Sequence, residues 1–170
     1  MTISAGKKST GMVRSLNNLP MLYVMIGPAG SGKSSFAVSG TLDGYIISTD
    51  EIRQRFYGDE ASQENPVAVF TQAYKEVRAC LNRGWDVIFD ATNTTHQSRK
   101  ELLKRVADIP HCNVAVYMNT ALEECKRRNA QRKRQVPDEV IDRQYMQMVR
   151  DAASIPVRFD EIVIVEGWKK

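Results

Sequence analysis

The sequence predicts an α/β protein, a three-layer α/β/α sandwich around a central, mostly parallel five-stranded sheet. Five short runs of β-branched, aromatic and other apolar residues recur along the chain, each apolar on both faces, as strands covered by helices tend to be. Amphipathic stretches at helical spacing lie between them. Repeated β-α units imply right-handed crossovers, which place helices on both sides of the sheet. At 170 residues and 42% hydrophobic content the chain holds one core rather than two.

Residues 1–18 are rich in Ser, Thr, Gly, Lys and Asn, lack apolar periodicity and read as a flexible N-terminal arm; residues 19–170 form the domain. Strands are expected over residues 22–26, 45–48, 86–90, 113–118 and 161–165. A helix over 32–38 follows the first strand, and another contains Glu51, Ile52 and Arg53. Residues 66–82 carry Val69, Ala73, Val77 and Cys80 at helical spacing before Gly84 stops them. Leu102, Leu103 and Val106 mark a helix over 95–107. Helices over 121–132 and 137–152 close the pattern, and core packing accounts for Tyr145, Met146, Met148 and Val149 in the last of them.

The longest apolar run, 21–26, is far short of the ~20 residues that cross a bilayer, and Lys7, Lys8 and Arg14 are not followed by the apolar stretch of a secretion signal. The sequence reads as that of a soluble, cytoplasmic protein with no membrane partner. It permits a homo-oligomer. Cys80, Cys112 and Cys125 are odd in number and widely spaced, so they read as reduced packing residues rather than a disulfide framework or zinc site. His96 and His111 have no metal-like spacing and read as surface or helix-end residues. A net charge of +4 and a pI near 9.0 permit a polyanionic partner without demanding one.

Gly27-Pro28-Ala29-Gly30-Ser31-Gly32-Lys33-Ser34 satisfies G-x-x-x-x-G-K-[ST] in full, between an expected strand and an expected helix. Glycines let the backbone curl until successive N–H groups point inward, which suits phosphate. Gly27, Gly30, Ser31, Gly32, Lys33, Ser34 and Ser35 are therefore candidate nucleotide-binding residues. Lys33 supplies charge to the β and γ phosphates, and the Ser34 hydroxyl can ligate Mg²⁺. ATP or another nucleoside triphosphate, with Mg²⁺, is the implied cofactor.

A phosphate loop alone does not separate kinases from GTPases or motor ATPases. Asp50 is the candidate that does: it follows an apolar strand, beyond whose carboxyl end ligands of open sheets bind, and a carboxylate there can take a proton from an acceptor hydroxyl. Arg53, three residues on, can pair with Asp50 or hold an acceptor phosphate. The plainer reading is that Thr49 or Asp50 caps a helix. Asp90 ends the run Val87-Ile88-Phe89 in the Walker-B manner, able to hold the water shell of Mg²⁺ or to orient the loop or acceptor. Thr92 and Asn93 follow it as candidate substrate contacts. Arg99 is either solvated or facing the cleft.

Between Cys125 and Pro137 the chain is basic without acidic relief: Lys126, Arg127, Arg128, Arg132, Lys133 and Arg134. Arg128 and Arg132, four apart, can reach one ligand from one helical face, as lid arginines do in phosphoryl transfer. A solvated basic face is the alternative. The expected fold thus becomes a P-loop kinase fold with a helical lid near residues 126–136.

These residues together resemble the kinase domain of the polynucleotide 5′-hydroxyl kinase family, found in phage and bacterial end-healing enzymes. The likeness spans 19–165 and rests on Gly27 to Ser34, Asp50 with Arg53, Asp90-Ala91-Thr92-Asn93 and the arginine-rich lid before Val136-Pro137. It implies ATP and magnesium at Lys33 and Ser34, Asp50 as general base, Arg53 at the acceptor, Arg132 as the catalytic lid arginine and Arg128 in support. The lid is a residue shorter than the family pattern, which makes Arg134 the alternative to Arg132. No D-x-D-x-T/V phosphatase signature follows. The implied reaction is transfer of a γ-phosphate to the 5′-OH end of DNA or RNA in nucleic acid repair. A small-molecule or nucleoside kinase is the runner-up, and a nucleotide-binding module or regulatory ATPase without an acceptor is a third reading.

Overall fold

Alternating side chains of one strand feed two separate cores. In the computed structural model, which describes residues 2–4 and 19–168, strand β2 (Met21–Ile26) is buried throughout. Leu22, Val24 and Ile26 pack into one cluster, and Met21, Tyr23 and Met25 into another on the opposite face. The first cluster is roofed by α2 (Thr49–Tyr57), α3 (Pro66–Leu81), α4 (His96–Val106), α6 (Asp138–Arg150) and α7 (Ile155–Arg158), through Ile52, Val69, Val77, Leu102, Met148 and Ile155. The second has a thinner cover, from α1 (Lys33–Ala37) with Phe36 and Ala37, from Leu42 and from Trp168.

The sheet is wholly parallel and contains all five expected strands: β2, β3 (Tyr45–Ser48), β4 (Val87–Asp90), β5 (Cys112–Asn119) and β6 (Glu161–Glu166). A sixth strand, β1 (Thr2–Ser4), pairs with β6, giving the order β1-β6-β5-β2-β4-β3. The expectation of a flexible arm is thus corrected for residues 2–4, where three residues were too few to show a strand period. The rest of that arm lies outside the described residues. Connections leave β2 toward β3 on one side and β5 toward β6 on the other, so a crevice opens beyond the carboxyl end of the central strands.

Local chemistry sets the helix ends. Ser48 caps α2, its hydroxyl accepting from Glu51 N–H at 3.5 Å, so neither Thr49 nor Asp50 is the cap. Asn65 caps α3 ahead of Pro66 at the first helical position, where the missing N–H costs nothing. The helix expected to run to Arg132 ends sooner, as α5 (Leu122–Ala130). In α6, Ile141, Tyr145 and Met148 face inward, whereas Met146 is 68% exposed and Val149 is also exposed, a correction to their assignment as core. His96 opens α4, and the His111 ring bonds Ile109 and Asn113. Among the described residues the three cysteines are free, and no helix is long and apolar enough to cross a membrane.

Candidate active site

Residues 27–32 leave β2 and curl into α1, whose N-cap, Gly32, makes no side-chain cap, leaving first-turn amides for a ligand. A cavity of about 580 Å³ opens over the loop. Its wall includes Gly30, Gly32, Lys33, Ser34, Ser35, Arg128 and Arg132 from the expected set, joined by Glu124, Arg127, Gln131 and Trp168. Gly27 and Ser31 shape the loop instead of lining the cavity. Ser31 is buried, with its Oγ against the Gly27 backbone, where a side chain at 27 would come within 2.4 Å of it.

The Lys33 ammonium turns back onto the Pro28 carbonyl at 3.4 Å. Burial pushes its pKa down; Asp90 and Asp50 oppose that shift, and Arg132 adds to it. Three expected residues from three other segments therefore act on Lys33. Asp50 stands in the first turn of α2, bonded to Arg53 Nη1 at 2.7 Å, with Arg53 12% exposed and Asp50 48%. Asp50 therefore presents a carboxylate face while Arg53 anchors it. Asp90 ends β4, buried, and its Oδ1 has no partner among the described residues. An orphaned buried carboxylate oxygen together with the exposed Ser34 hydroxyl on the cavity wall is a donor set suited to Mg²⁺ with part of its water shell.

Asn93, expected among the substrate contacts, is 3% exposed and commits its amide to Met25 O at 2.8 Å and Ala91 O at 3.2 Å. With φ at 47° it shapes the loop after β4 rather than reaching into the cleft, which corrects its assignment. Thr92 contributes its carbonyl, which accepts from Gly27 N–H at 3.0 Å. Arg99 is neither solvated nor facing the cleft: at 1% exposure it braces Asn93 O (2.7 Å), Asp151 O (2.8 Å) and Ser154 Oγ (2.9 Å).

In the lid, Glu124 accepts from Arg127 and from Arg128 Nε (2.6 Å), and these guanidiniums, Arg127 foremost, hold its carboxyl down at about 2. Arg128 Nη1 also approaches Ser31 O at 3.4 Å. Arg132 lines the cavity, whereas Arg134 faces Glu60 at 3.8 Å. The two alternatives are thereby placed differently, with Arg132 on the phosphate side.

Sequence reasoning missed several participants. Trp168 stands edge-on to Phe36 at 4.9 Å and borders the cavity; its signal was an aromatic just past the last strand's carboxyl end. Gln144 Oε1 accepts from Ala29 N–H at 2.8 Å, and Thr120 Oγ1 donates to Ser31 O at 2.9 Å. No local pattern announces either.

A family model described as AAA domain matches residues 22–153, most of the chain. The chain belongs to this AAA domain family. Among known proteins the AAA domain is similar to the L-seryl-tRNA(Sec) kinase of Methanococcus maripaludis, 26% identical over 141 residues, covering 74% of this chain and 51% of that protein. It therefore spans about half the length of that curated relative. Among solved structures it resembles a chain of the Pnkp1/Rnl/Hen1 RNA repair complex, with a TM-score of 0.71 and 24% identity, covering 81% of this chain and 46% of that one. A sugar kinase from Janibacter sp. HTCC2649 shares the fold over 87% of this chain and 85% of its own, with a TM-score of 0.59 and 19% identity. The AAA domain thus has the P-loop kinase fold.

Proposed function

We propose that this P-loop kinase domain transfers the γ-phosphate of ATP, or another nucleoside triphosphate, to the 5′-OH end of DNA or RNA. The observation that carries the reading is the convergence of Asp50, Asp90 and Arg132 on Lys33 beside the phosphate loop. A nucleotide-binding module has no need of a half-exposed carboxylate tied to a half-buried arginine on the acceptor side. The basic lid, the net charge of +4 and relatives named for RNA repair and for a tRNA kinase favour a nucleic acid acceptor.

In this reading loop amides and Lys33 hold the β and γ phosphates, and Trp168 and Arg128 border the rest of the nucleotide. Ser34 and, through water, Asp90 would hold Mg²⁺, which would supply charge to neutralise the phosphates. Asp50 accepts the acceptor's proton as its oxygen bonds the γ phosphorus and the bond to the β-phosphate oxygen breaks, releasing the diphosphate. Arg53 keeps Asp50 aimed. Arg132 stabilises the charge spread over the transferring group.

The fold match to a sugar kinase over 87% of this chain and 85% of that one favours, as a second reading, a small hydroxyl compound as acceptor. The test is label transfer from γ-labelled ATP to 5′-OH RNA and DNA oligonucleotides at low salt, beside a panel of sugars and nucleosides. Labelled oligonucleotide, lost in Asp50→Ala, supports the proposal. Label only in a small compound replaces it with the second reading, and ATP turnover unchanged by Asp50→Ala removes both.

A further inference from the structure

The lid loop is closed at its neck by one side chain. Asn129, on the last turn of α5, is buried; its Nδ2 donates to Val136 O at 2.8 Å and its Oδ1 accepts from Val136 N–H at 3.0 Å. A primary amide presents a donor and an acceptor side by side, and here both meet the backbone of one residue seven positions on, much as a neighbouring strand would. The Asn129 carbonyl also accepts from Arg132 N–H at 3.0 Å, and Gln135 Nε2 donates to Ala130 O at 3.0 Å. Below the neck both limbs are fixed: Cys125, Leu122, Val136 and Ile141 pack with Ala29 of the phosphate loop, and Gln144 bonds the Ala29 amide. Residues 130–135 are thus a short closed loop standing on a rigid base, with Arg132 on its cavity side.

We infer that Asn129 is a positioning residue that aims Arg132 at the phosphates. This rests on the phosphoryl-transfer reading, though not on the identity of the acceptor. Asp is nearly isosteric with Asn, but its carboxylate cannot donate to Val136 O and sets two oxygens against each other; protonated, it regains the donor.

The test uses the full chain as wild type, N129D, R132A and N129D/R132A, assayed below the melting temperature of each with the acceptor that wild type labels best. N129D is expected to lower kcat about 10- to 100-fold with KM for ATP changed less than about threefold, and the double variant to fall within about twofold of R132A. The ratio of N129D to wild-type kcat should climb as pH falls and the carboxyl protonates. Losses that multiply in the double variant, or a pH-independent ratio, would overturn the inference. If N129D does not fold, N129A takes its place in the double-variant comparison. If wild type labels no acceptor, affinity for a non-hydrolysable ATP analogue replaces kcat: non-additive weakening upholds Asn129 although the acceptor reading has failed, and additive weakening rejects it.

Discussion

Replacing Gly30 by alanine should separate from the phosphate loop the helix that carries Arg128. Gly30 has φ near +81°, and a Cβ there would lie 2.1 Å from the Cys125 carbonyl oxygen and 2.8 Å from its carbon. Reaching ordinary contact needs roughly 1 Å of relative movement between two backbones, neither of which can rotate aside as a side chain would. The left-handed conformation costs alanine about 1–2 kcal/mol, and the lost unfolded-state freedom returns about 0.4–1. Forcing apart the small cluster of Ala29, Cys125 and Ile141 adds about 1–3. The net is about 2–4 kcal/mol, or roughly 5–15 °C in melting temperature for a chain of this length. Gly40→Ala is the matched control, because it shares the positive φ, +75°, but among the described residues has nothing within 4 Å of the new Cβ. It should therefore lose only the backbone part. Thermal melts by circular dichroism give the stabilities, and nucleotide titration should show affinity weakened about tenfold in Gly30→Ala alone, since Arg128 moves with Cys125. Equal melting temperatures for the two variants would refute the contact between the loop and α5.

Lys33→Met should cut turnover by ~10³ or more while leaving the empty protein folded and more stable than wild type near neutral pH. The folded chain binds this proton less readily than the unfolded one, so the penalty is full below the depressed pKa and fades as pH rises toward the ordinary value of 10.5. A stability advantage that widens with pH in denaturant titrations would contradict the burial of that ammonium. Arg132→Ala should lower kcat by ~10³ and Arg134→Ala by less than about fivefold, given the Glu60 partner of Arg134; steady-state kinetics with the reverse ranking would reassign the lid. Arg99→Met removes three hydrogen bonds, leaving the buried Asn93 carbonyl without this donor while Asp151 O keeps Ser154 Oγ–H, and relieves a buried charge, for a net loss of about 1–3 kcal/mol. Urea unfolding within 0.5 kcal/mol of wild type would show that Arg99 is no brace.

Much of this was legible in the sequence because it is written locally. A phosphate loop is eight consecutive residues whose types follow from backbone geometry, and buried parallel strands are short apolar runs, so β2 to β6, Lys33 and Ser34 could be read directly. The place of Asp50 just past β3 was legible because it follows that strand by two positions. The lid was read only as charge, and charge does not say where a helix stops: α5 ends at Ala130 because Asn129 turns to Val136, a pairing invisible in a run of arginines. Asn93 was misread because a polar residue at a strand end has two uses, and only its three-dimensional neighbours reveal that its amide is already taken. Thr120 and Gln144 reach the loop from 89 and 115 residues away and Trp168 from farther still, and no spacing rule covers such distances.

The loop so held has four separate ties. Gly27 N–H goes to Thr92 after β4, Ala29 N–H to Gln144 on α6, and Ser31 O to Thr120 beyond β5, while Gly30 lies against the backbone of α5. None of these ties uses the amides that open α1, so the loop is rigid at its base and unspent at its mouth. A cradle built this way needs little rearrangement when phosphate arrives. Rigidity at Gly30 and closure at Asn129 are therefore parts of one device. In the proposed phosphoryl transfer the first would fix where the γ phosphorus sits, the second the direction from which Arg132 meets it, and a change in either should be felt at the reacting centre without touching it.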